Sequence, residues 1–124
     1  MKLIVKRHFD AAHRLRNYKG PCNRLHGHTW KVEVELEIDV PNAVTGDAGY
    51  YKGVTIDFKK LKRDIDRILP DHQYVNDLAE WEPTAENLAI YFRMKLIRKW
   101  GLIDPKRVCV RVWESEDCAA EASG

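Results

Sequence analysis

The stretch CNRLHGH, residues 22–28, carries a thiol and two of the chain's five histidines. In an extended segment, side chains at i and i+2 point to the same side, so the imidazoles of His26 and His28 can close on one atom, as a metal ion requires. His13, in FDAAHRL upstream, supplies a third neutral nitrogen. Three imidazoles at about 2.0–2.1 Å suit Zn2+ and leave a fourth position for water or substrate, the mark of a catalytic rather than a structural zinc site. Cys22 admits two roles. As a fourth ligand beside the three histidines it closes a structural site in a non-catalytic binding module. Outside the coordination sphere it is a base or nucleophile, its ordinary pKa of about 8.5 falling near positive charge. Spacing alone leaves both open.

The elements that must position these groups are legible in the apolar pattern. In TWKVEVELEIDV, residues 29–40, Trp30, Val32, Val34, Leu36, Ile38 and Val40 alternate with charged residues, which predicts a half-buried strand. The same parity extends back to His28 and His26 and sets them where the apolar face meets the end of the sheet. Residues 2–9 and 107–114 predict further strands, the second with Val108, Val110 and Val112 on one face and Glu114 continuing that row. Phe58, Leu61, Ile65 and Ile68 recur at helical spacing after a cap at Asp57, and Pro70 ends the run. A second helix follows Pro83, with Thr84 as cap, a stripe through Leu88, Phe92 and Leu96, and Gly101 past its end. DCAAEASG offers a short last strand. The order predicts an α+β domain, an antiparallel sheet carrying two helices on one face. The turn-rich stretch 41–53 reads as a surface loop, with Tyr50 and Tyr51 available for a substrate or subunit contact.

At 124 residues the chain, 1–124, is expected to form one domain. A net charge of +2 with 32% charged residues lacks the basic surplus of a dedicated nucleic-acid binder. The basic stretch 14–31 also lacks the interleaved aromatic platform of an RNA-binding domain. No apolar run reaches membrane-spanning length, and three cysteines at these spacings fit neither a CxxC pair nor a disulfide framework, so a soluble cytoplasmic protein with reduced thiols is expected.

Beyond the residues themselves, the chain resembles the superfamily of 6-pyruvoyl-tetrahydropterin and 6-carboxytetrahydropterin synthases. The matching motifs, in order, are FDAAHRL, CNRLHGH, IDF at 56–58, PDHQYVND with Asp71 and His72, PTAENLA at 83–89 and VWES with Glu114. The resemblance implies the tunnelling fold, assembled as an oligomeric barrel, a homohexamer built as a dimer of trimers. It implies Zn2+ on His13, His26 and His28, with Cys22 as the catalytic thiol. Asp71 and His72 would assist proton transfer from across a subunit boundary. Glu114 would anchor the pterin's amino-pyrimidine edge, with Thr84 and Glu86 nearby in the substrate site. Taken by themselves, Asp71 and His72 form a turn after Pro70, Thr84 and Glu86 serve the first turn of a helix, and Glu114 is an end-of-strand glutamate.

The substrate implied is 7,8-dihydroneopterin triphosphate. No acid interrupts residues 11–32, which hold Arg14, Arg16, Lys19, Arg24 and Lys31; this is either a solvated basic loop or an anion-attracting face. The short CNRLHGH form resembles the branch that makes 6-carboxytetrahydropterin with release of acetaldehyde, on the route to 7-deazaguanines such as queuosine. The sister branch stops at the 6-pyruvoyl product. Pro70 before Asp71-His72, the insert DAGYYK and the plain tail depart from the family pattern and bear on the pocket's shape.

Overall fold

The computed structural model describes residues 1–39, 56–102 and 104–124. The 41–53 stretch, with Tyr50 and Tyr51, lies outside the described residues. β1 (Lys2–His13) and β2 (His26–Glu37) form a long antiparallel pair, in unbroken register from Lys2 opposite Glu37 to His13 opposite His26. β1 therefore extends four residues past the predicted 2–9. The pairing carries β2 back to His26 too, because each strand gives the other a partner up to the histidines.

α1 (Phe58–Asp66) is capped by the Asp57 carboxylate, which accepts from the Lys59 amide at 2.8 Å. α2 (Ala85–Trp100) is capped by the Thr84 hydroxyl, which accepts from the Asn87 amide. It ends at Gly101 with φ 60°, a left-handed conformation that glycine adopts without steric cost. Between the helices lies β3 (Gln73–Tyr74), after α2 comes β4 (Val108–Trp113), and β5 (Ala119–Ala122) supplies the short last strand. The sheet order is β3-β1-β2-β4-β5. Its framework is antiparallel, as expected. β3, too short to leave a periodic signal, adds a parallel pairing to Ala11 and Ala12 that makes the sheet mixed.

One face of the sheet is apolar. Val5, Phe9 and Ala11 of β1, Trp30, Val32, Val34 and Leu36 of β2, and Val108, Val110 and Val112 of β4 are all buried against Leu61 and Ile65 of α1 and Leu88, Phe92 and Leu96 of α2. Phe58 leaves its predicted stripe and stays about half exposed. The other face is polar, held by Arg111 of β4, which pairs with Glu33, Glu35 and Glu121. Among the described residues no helix is long and apolar enough to cross a membrane.

The two helices are tied by a buried carboxylate. Asp64 of α1 accepts hydrogen bonds from Lys60 Nζ at 2.7 Å and Trp100 Nε1 at 3.0 Å, with Lys99 Nζ at 4.0 Å. Burial alone pushes this carboxyl up, but the hydrogen bonds and the two ammonium groups together hold it below its ordinary value. A depressed folded-state value contributes stability above the unfolded pKa that is lost on acidification. Stability measured by denaturant titration should fall as the pH drops below about 4, and Asp64→Asn should remove that component. Asp64→Ala leaves the Trp100 Nε1–H without its acceptor, while the half-exposed Lys60 ammonium turns to water, and should cost about 1–3 kcal/mol at neutral pH.

Candidate metal centre and active site

The β1–β2 register builds the centre. His13 lies directly opposite His26, and His28, two residues along, lies opposite Ala11. All three project on the core side at the end of the sheet, over the fully buried ring of Trp30, whose centroid is 4.9 Å from His13 and 5.3 Å from His28. Trp30 is fixed by stacking on Phe9 and by donating Nε1–H to the Ala11 carbonyl. Nitrogen atoms of His13, His26 and His28 fall within 4.8 Å of one another.

The surrounding hydrogen bonds orient these rings for a cation. His13 Nδ1 donates to the Pro83 carbonyl at 2.8 Å, and His26 Nδ1 to the Arg24 carbonyl at 2.6 Å. In the neutral rings each Nε2 then carries a lone pair, and the two Nε2 atoms stand 3.0 Å apart. Such lone pairs repel unless a proton or a metal lies between them, and nitrogens sharing one zinc sit about 3.3 Å apart. Burial pushes the His13 and His28 imidazoles down, towards the neutral form that ligates metal. His28 Nε2 is buried without a hydrogen-bond partner; the Glu114 carboxylate is 3.3 Å away but not aligned with it. Two oriented lone pairs and one unsatisfied buried nitrogen make a donor set that fits a metal ion.

Cys22 is not one of the converging groups. It sits half-buried in the 3-10 turn Pro21–Asn23, its carbonyl accepting from the Leu15 amide at 2.8 Å. Sequence reasoning missed the residues that hold this loop. The Asn76 side chain, itself buried, bonds both the amide and the carbonyl of Arg14, imitating a strand partner beside His13. The Arg16 amide donates to the Glu82 carboxylate, and its guanidinium donates to the carbonyls of Asn76, Ala79, Glu80 and Trp81. Arg16 is thereby engaged by main chain, which removes it from the basic face that 14–31 suggested. Lys31 lies over the Trp113 ring at 4.3 Å.

Asp71 and His72 form a separate, exposed cluster with Asp10. His72 Nδ1 and Asp71 Oδ2 are 2.9 Å apart, and Asp71 Oδ1 accepts from the Asp10 amide at 2.9 Å. The Asp71 hydrogen bond holds the His72 imidazole above its ordinary value, and the Asp10 amide holds Asp71 low. Asp10 points to the polar side of β1 and His13 to the apolar side, so this pair is not brought to the histidine centre of its own chain. Glu114 does reach that centre through His28, and with Glu86, Ser115 and Cys118 it lines a cavity of about 240 Å³ at the start of α2. Thr84 is occupied as the cap, one residue after the Pro83 carbonyl that orients His13.

Comparison with known proteins agrees with this architecture. The profile of the 6-pyruvoyl tetrahydropterin synthase family matches residues 2–124. A Synechocystis relative named 6-carboxy-5,6,7,8-tetrahydropterin synthase is 36% identical over 92 residues, covering 71% of this chain and 68% of its own. A Pyrococcus furiosus relative named dihydroneopterin monophosphate aldolase is 31% identical over 122 residues, covering 97% and 95%. The structure of Caenorhabditis elegans 6-pyruvoyl tetrahydropterin synthase superimposes with a TM-score of 0.78 at 26% identity, covering 100% of this chain and 95% of that one. With the family profile matched from the second residue to the last and the same fold throughout, this chain belongs to the 6-pyruvoyl tetrahydropterin synthase family.

Proposed function

We propose that the protein is a zinc-dependent 6-carboxytetrahydropterin synthase of the cytoplasm. It converts 7,8-dihydroneopterin triphosphate to 6-carboxy-5,6,7,8-tetrahydropterin, releasing acetaldehyde and triphosphate, in the 7-deazaguanine (queuosine) route. The observation that carries this reading is the histidine triad with its lone pairs turned inward and Cys22 outside the converging set. The name of the Synechocystis relative supports the choice of product.

His13, His26 and His28 would hold the zinc, which would supply Lewis-acid chemistry at the substrate's side chain. Glu114 accepts from the N–H edge of the pterin ring and sets its orientation, with Glu86 at the same cavity and Thr84 beside it in sequence as the cap of α2. Cys22, as thiolate, removes a side-chain proton. His72 keeps Nδ1 on Asp71 and has Nε2 free to exchange protons with the substrate's hydroxyls. Because Asp71 and His72 sit away from their own chain's centre, they act on a neighbouring subunit, in a homohexamer arranged as a dimer of trimers. Among the described residues, β5 and the part of β1 before Asp10 have no strand partner on their outer side, and these are the surfaces such an assembly would join.

Cleavage of a dihydroneopterin monophosphate is the second reading, favoured by the nearly full-length match to the Pyrococcus aldolase and by the engagement of Arg16, which leaves fewer cations for a triphosphate. A pyruvoyl product from the same site is the third. Zinc-loaded protein incubated with each phosphate ester, with products identified by mass spectrometry, separates them: 6-carboxytetrahydropterin plus acetaldehyde is expected from the triphosphate. Cys22→Ala should keep its zinc, counted by elemental analysis, and lose at least about 100-fold in turnover; loss of zinc instead would make Cys22 a ligand and the site structural. Cys22→Ala and His72→Ala, each inactive alone, should regain activity when unfolded and refolded together. No recovery would defeat the shared site.

A further inference from the structure

His72 is the one residue other than glycine with positive φ, 57°, among the described residues. A histidine held left-handed stores strain of about 1–3 kcal/mol, which persists only where its surroundings over-determine the conformation. What determines it here is Asp10. The His72 amide donates to the Asp10 carbonyl at 2.6 Å, while the Asp10 amide donates to the Asp71 carboxylate at 2.9 Å, so one β1 residue clamps both sides of the Asp71-His72 turn. The Asp10 side chain is not idle. Its Oδ1 accepts the Thr29 hydroxyl at 2.6 Å from the neighbouring strand, and the acid oxygens of Asp10 and Asp71 and a ring nitrogen of His72 lie within 4.8 Å of one another. Asp10 and His72 also border an open groove of about 580 Å³ whose floor is cleared by Ala12 and Gly27. A Cβ added at Gly27 would meet nothing nearer than the Ala11 carbonyl oxygen at 3.8 Å, so this chain's own packing does not require the glycine.

We propose that Asp10 is a positioning residue for His72: its main chain clamps the left-handed turn, and its carboxylate, aimed by Thr29, forms with Asp71 a two-acid cradle around the imidazole. The proposal rests on the reading of His72 as the proton carrier. The charged groups against the ring are the carboxylates of Asp71 and Asp10. Asp71 fixes Nδ1 by a hydrogen bond, whereas Asp10 acts through its charge and through the clamp. Both favour the imidazolium, the form of His72 that can give a proton.

Asp10→Asn separates charge from shape, because the amide oxygen can still accept from Thr29 and both main-chain bonds survive. In zinc-loaded protein the titration of the His72 ring, followed by NMR, should move to lower pH in Asp10→Asn. Turnover should fall about three- to ten-fold with KM, zinc content and Tm unchanged. Asp10→Glu should restore part of the rate. Thr29→Val, which frees the carboxylate without removing it, should show a smaller effect in the same direction. A His72 titration identical in wild type and Asp10→Asn would overturn the cradle. If His72→Ala proved fully active, the proton-carrier reading would fall on its own, while the NMR comparison would still decide whether Asp10 acts on the ring.

Discussion

Everything at the candidate centre depends on the register of β1 against β2. Because side chains alternate at every residue, a slip of one position would carry His26 and His28 to the polar face and leave His13 alone in the core. The apolar set on both strands prevents this: Phe9 stacks on Trp30, and the same slip would turn Val32, Val34 and Leu36 out to water. Hydrophobic burial along the strands thus fixes a polar arrangement at their ends. The strands contribute direction, and the loops contribute the fine orientation through the Pro83 and Arg24 carbonyls.

The two faces of the sheet divide the chemistry. On the apolar side, burial disfavours protonation of His13 and His28 and suits them to a cation. On the other side, close to solvent, the Asp71 hydrogen bond and the nearby carboxylates favour protonation of the His72 imidazole. One residue type meets opposite needs because the local environment, not the side chain, sets the charge state.

Much of this was legible in the chain. The period-two pattern of 29–40 predicted both the strand and the face of His26 and His28, and Asp57, Thr84 and Gly101 marked the helix ends where the structure has them. Such signals are local, and local physics produces them. What escaped was built from distant partners or from main chain: Asp10 meets Asp71 across 61 residues, Asn76 stands in for a strand across 62, and Arg16 binds carbonyls that no sequence pattern displays. β3 escaped because two residues cannot show a period. The exposure of Phe58 shows the limit of a helical stripe at its first turn, where Ile56 and Leu61 pack against the core and Phe58 does not.

The bond from His13 to the Pro83 carbonyl also couples the centre to a helix. Pro83 immediately precedes the residue that caps α2, so the His13 ring cannot swing outward without giving up the peptide at which that helix begins. An ion held there would therefore share one anchor with the start of α2, since the ring that ligates it also holds the peptide leading into the helix cap.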